Sequence, residues 1–87
     1  MNPKPSLVQV LVLYDVADDG VWFDAMSGKW HSTHLSKEVS MQMEILLRDG
    51  YITISSDVMP TASLTASGHE VLGRRSLLET ANKVNRR

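Results

Sequence analysis

The apolar residues change period at Gly50, and that change constrains the fold more than any other feature of the chain. Before it, Leu35, Val39, Met43, Leu46 and Leu47 recur at helical spacing and end at Arg48-Asp49-Gly50. After it, Tyr51-Ile52-Thr53-Ile54-Ser55 alternates as a half-buried strand does. A helix that stops at a glycine, with that glycine as its left-handed terminator, and hands over directly to a strand implies an α+β domain. Ser56-Asp57 supplies turn chemistry, and Val58 to Leu64 can return as a second strand, irregular or at an edge because Pro60 lacks an amide donor.

The remaining segments follow from the same rules. Pro3 and Pro5 mark an extended lead-in over residues 1–5, and Ser6 suits an N-cap. Leu7, Val8, Leu11, Val12 and Tyr14 or Val16 then recur at helical spacing up to Asp18-Asp19-Gly20. The run 8–14 is β-branched enough to pass for a strand, and period alone does not separate the two. Val21 to Ser27, with Trp22, Phe23 and Met26, suits one or two helical turns ending at Gly28. The next helix starts from a Ser32 or Thr33 cap. Thr65 caps a final helix over 65–87, in which Val71, Leu72, Leu77, Leu78, Ala81 and Val84 form an apolar stripe, and Leu64, Val71 and Leu78 stand seven apart. Gly68, one turn into that helix, suits close packing. Phe23 and Trp22 are expected mainly in the core, with Trp30 sealing it.

At 87 residues and 43% hydrophobic side chains, the chain supports one core, so residues 1–87 are read as a single domain. The absence of cysteine excludes disulfides, thiolate zinc sites and a cysteine nucleophile. The longest apolar run falls far short of the about 20 residues of a membrane span. With no leader-like start, the expected location is the cytoplasm. The net charge is −1, but it is unevenly spread: Asp15, Asp18, Asp19 and Asp24 make the first third acidic, while Arg74, Arg75, Lys83, Arg86 and Arg87 make the end basic.

Two motifs carry a resemblance. Met43-x-x-Leu46-x-x-x-Gly50-Tyr51-Ile52 looks like the end of the third helix of winged helix-turn-helix domains, and Leu64-Thr65-x-x-Gly68-x-x-x-Leu72 is similar to the segment after the wing in MarR-like and PadR-like regulators. The resemblance covers about Leu7 to Leu78 and implies an α+β, mainly α fold: three helices, a β-hairpin wing and a C-terminal helix. It also implies a small transcriptional regulator that binds double-stranded DNA, with the third helix in the major groove, and a homodimer formed through Val71, Leu77, Leu78, Ala81 and Val84.

The residues placed to meet DNA or a partner are Lys29, His31, Ser32, Thr33, His34, Ser36, Lys37, Ser40, Met41 and Arg48. The family's tight binders carry more basic residues on that helix, and the tip Ser55-Ser56-Asp57 has none. The alternative is therefore a winged-helix module that binds another protein, with Met41, Trp30 and Met59 exposed for the purpose. Catalysis is not expected, because no Gly-rich phosphate loop, nucleophile elbow or carboxylate pair is present. His31 and His34, three apart, would need further ligands to hold a metal. No cofactor or metal is expected.

Overall fold

The computed structural model describes residues 4–73, and within them local chemistry starts and stops each element. The first helix, α1 (Leu7–Ala17), opens with a capping box: Gln9 N–H donates to Ser6 Oγ (3.3 Å) while Ser6 N–H donates to Gln9 Oε1 (2.9 Å). It closes with a Schellman motif, in which Gly20 N–H reaches the Asp15 carbonyl (2.8 Å) and Asp19 N–H the Val16 carbonyl (3.2 Å). Asp19 takes the left-handed position at φ 57°.

The segment expected as the second helix is a strand. β1 (Val21–Asp24) pairs antiparallel with β2 (Lys29–Ser32), and β2 pairs with the short β3 (Lys37–Glu38). The reason is turn chemistry. The Asp24 carboxylate accepts from Met26 N–H and from Ser27 Oγ (3.0 Å each), Gly28 N–H donates to the Asp24 carbonyl (2.8 Å), and Gly28 sits at φ 73°. That connection makes a hairpin, and aromatic residues on both arms fit a pleated sheet. Phe23 and Trp30 meet on the inner face with ring centroids 5.2 Å apart, while Trp22 and His31 stack at 4.7 Å on the outer face. Trp30 is buried, which fits its expected place sealing the core and corrects its expected exposure in the protein-binding alternative, and Trp22 is half exposed.

The third expected helix starts six or seven residues late, as α2 (Ser40–Arg48). Ser32 Oγ does accept from Leu35 N–H (3.1 Å), the capping interaction the sequence suggested, but Ser36 turns left-handed at φ 53° and the chain enters β3 instead. Val39 then precedes α2 without a side-chain cap, and Ser40 Oγ accepts from Trp30 N–H (2.9 Å), tying the helix start to β2. α2 ends as its sequence requires: Gly50 is left-handed at φ 83°, and Tyr51 N–H donates to the Leu46 carbonyl (2.9 Å).

β4 (Ile52–Ile54) and β5 (Ala62–Leu64) form the expected hairpin, with Ile52 opposite Leu64 and Ile54 opposite Ala62. Pro60 lies outside both strands. Residues 66–73 are helical (α3), with Gly68 N–H donating to Thr65 Oγ1 (3.2 Å), so Thr65 is the cap. Gly68 lies against the Tyr51 carbonyl, where a methyl group would collide.

The described residues thus form a small α+β domain of three helices and two antiparallel sheets. One core joins them. Val10, Val12, Leu13 and Val16 of α1 meet Trp30, Val39, Met43 and Leu46, Tyr51 and Ile52, and Leu72. No described helix is long and apolar enough to cross a membrane.

Candidate functional site

The residues expected on one DNA-facing surface are spread over two strands, the turn between them and a short helix. Lys29, on β2, lies 3.6 Å from Glu38, and Arg48, at the end of α2, is held to Asp49 at 3.1 Å. His31 lies on β2 under Trp22. Ser32 is buried, whereas Thr33, His34, Ser36 and Lys37 are exposed around the turn and β3. Ser40 points its hydroxyl at the β2 backbone, and Met41 is 70% exposed at the start of α2. Only Ser40, Met41 and Arg48 are on the helix itself. Of the residues assigned to a dimer contact, Val71 is partly buried against the domain's own core, and Leu77, Leu78, Ala81 and Val84 lie outside the described residues.

Charge on this domain is one-sided. Between Lys4 and Gly73 the chain has four lysine and arginine residues against nine aspartate and glutamate residues, a balance of −5, so the opposing +4 falls in 74–87. The outward side of α2 carries Met41, Glu44 and Leu47, and the β4–β5 connection exposes Val58 and Met59. The Glu38 carboxyl is held below its usual range, first by a hydrogen bond from the Ser40 hydroxyl, so that carboxylate adds to the negative surface.

The most organised polar cluster was not singled out from the sequence. Asp15, on the buried face of α1, is 1% exposed, and its carboxylate accepts from Ser32 Oγ and from His34 Nδ1. Burial opposes ionisation of Asp15, but the hydrogen bonds from Ser32 and His34 and the charge of His34 outweigh it and hold the carboxyl below its ordinary range. His34 is raised in turn, first by the hydrogen bond to Asp15 and then by its charge. Gly20 is required beside this pair: a Cβ there would lie 2.7 Å from Asp15 Cγ. A sequence signal existed, since Asp15 is three residues after Val12 and so shares the face that α1 buries.

Asp15 and His34 line a cleft of about 280 Å³ together with Leu11, Tyr14, Asp18 and Leu35. His34 Nε2 lies 4.0 Å from Asp18 Oδ2 at its rim. His31 is on another element and does not join it, and no group of three or more metal-ligating side chains occurs among the described residues. Comparison of the chain with protein-family models, with curated proteins and with solved structures gave no match.

Proposed function

We propose that this domain binds another protein, through apolar side chains that α2 and the two hairpins leave exposed. The observation that carries the reading is the outward side of α2, where Met41 and Leu47 flank Glu44 and the terminal Arg48 is already engaged by Asp49. A helix that reads a duplex needs cations and hydrogen-bonding side chains aimed at the groove, and phosphate neutralisation supplies most non-specific affinity. A protein partner instead favours exposed methionine and tryptophan in a surface poor in lysine. Trp22 on the sheet and Met59 on the hairpin connection extend the same chemistry.

The order α2, Gly50, β4–β5 and α3 supports reading the second half as the third helix, wing and closing helix of a winged-helix variant, with the sheet β1–β2–β3 in place of the second helix. DNA binding stays as the second reading, favoured by the five basic residues Arg74, Arg75, Lys83, Arg86 and Arg87. The test compares the full chain with its Met41→Asp and Lys37→Ala variants, both at exposed positions. Protein capture lost with Met41→Asp and kept with Lys37→Ala supports the partner reading. Duplex binding that weakens with Lys37→Ala and ignores Met41→Asp supports the DNA reading.

A further inference from the structure

The cleft beneath His34 has polar geometry that hydrogen bonds within the domain do not use up. Asp15 is ionised and can only accept, so His34 Nδ1 must be the donor in their hydrogen bond. In the neutral ring this leaves Nε2 as a lone-pair acceptor. Its neighbour at 4.0 Å is Asp18 Oδ2, also an acceptor, so whenever the ring is neutral the two face each other with no proton between them. A single nitrogen at the usual hydrogen-bond distance of about 2.9 Å from each fits that gap. A zinc-like ion with bonds of about 2.1 Å would span 4.0 Å only with an angle of about 145° at the metal, far from tetrahedral.

The surroundings favour a cation on an apolar body. Asp18 caps the C-terminal end of α1, where the helix dipole is negative, and the last turn of α1 has no basic residue to complement it. Asp15 adds a second negative charge behind the imidazole. The rest of the wall is the Tyr14 ring, Leu11 and Leu35, which suits a short hydrocarbon chain. We propose that this cleft binds a primary ammonium group carried on a short apolar body, with His34 Nε2 and Asp18 accepting its protons and Leu11, Tyr14 and Leu35 packing its carbons.

A free alkylamine and a lysine side chain share this chemistry. Protons compete with either one, because a protonated Nε2 becomes a donor towards Asp18 and the pair of acceptors is lost. The charged groups facing His34 are Asp15 and Asp18, both from α1. Binding therefore weakens as pH falls through the raised pKa of His34. The site is on different elements from Met41 and Leu47, so it stands or falls apart from the partner reading.

The test is an NMR titration of the full chain with butylammonium chloride above neutral pH, with butyltrimethylammonium as the equally charged probe that lacks N–H donors. The expected result is saturable shifts centred on Leu11, Tyr14, His34 and Leu35. The quaternary probe should bind more weakly, and Asp18→Asn, at an exposed position, should lose about tenfold in affinity. Nα-acetyl-lysinamide separates the sources: tighter binding than butylammonium indicates a peptide lysine, and weaker binding a free amine. The proposal is overturned if butylammonium gives no saturable shifts, if the quaternary probe binds equally well, or if Asp18→Asn leaves the affinity unchanged.

Discussion

Asp15 and His34, nineteen residues apart, join the last turns of α1 to the turn between β2 and β3 through one buried carboxylate, which also accepts from Ser32. This contact fixes the segment that departs from the expected helix. Asp15→Ala should destabilise the domain by about 1–3 kcal/mol, the cost of leaving the buried Ser32 hydroxyl without its acceptor. Asp15→Asn, which keeps an acceptor oxygen, should cost less. Urea unfolding of the three proteins measures both, and equal midpoints for Asp15→Ala and the native chain would exclude the carboxylate as a structural hub.

The same pair sets a pH dependence. The pKa of His34 is raised on folding, so its contribution is complete below its ordinary value of 6.5 and is lost as pH rises through the folded value. The pKa of Asp15 is lowered, so its contribution is present above its ordinary value of 3.8 and is lost as pH falls through the folded value. Stability from this contact is therefore greatest between those two values. Thermal midpoints measured across pH should decline on the alkaline side of that window, and His34→Gln should flatten that side.

The two Schellman motifs respond differently to substitution. Gly50→Ala forces a Cβ into the left-handed region at φ 83° and should cost about 1–2 kcal/mol. Asp19→Gly relieves the same strain at φ 57° and removes a negative charge from a helix C-terminus, so it should raise stability, by up to about 1 kcal/mol. Chemical unfolding of both variants checks the opposite signs.

Tyr14 Oη is buried and has no hydrogen-bond partner among the described residues. Tyr14→Phe removes an unsatisfied polar atom while keeping the ring, and should leave the domain as stable as before or more stable by about 1 kcal/mol. A loss of more than that in urea unfolding would mean that the hydroxyl has a partner.

The sequence was most legible where one local rule acted alone. Ser6, Gly50 and Thr65 mark the ends of their helices as their chemistry requires, and the alternation from Tyr51 gives the hairpin. It was least legible between Val21 and Val39. There Trp22, Phe23 and Met26 at helical spacing mimic a short helix, while the deciding signals, Asp24 and Gly28 in the turn and Ser36 in a left-handed conformation, act over three or four residues. Ser32 was misleading for a different reason. Its hydroxyl makes the capping contact but is committed to Asp15, a partner seventeen residues away that periodicity does not reveal. The His34–Asp15–Asp18 cluster was missed on the same ground, because it exists only once α1 packs against the turn.

Whether the exposed side of α2 meets a protein or a duplex is decided by fluorescence anisotropy of labelled duplex DNA with the full chain at about 50 mM and about 200 mM salt. If α2 meets a protein, binding at the higher salt is no tighter than the non-specific level of about 10⁻⁴–10⁻⁶ M, with the same salt slope for Lys37→Ala as for the native chain. Tighter binding at about 200 mM salt, with a slope that falls by about one on Lys37→Ala, would contradict the protein reading.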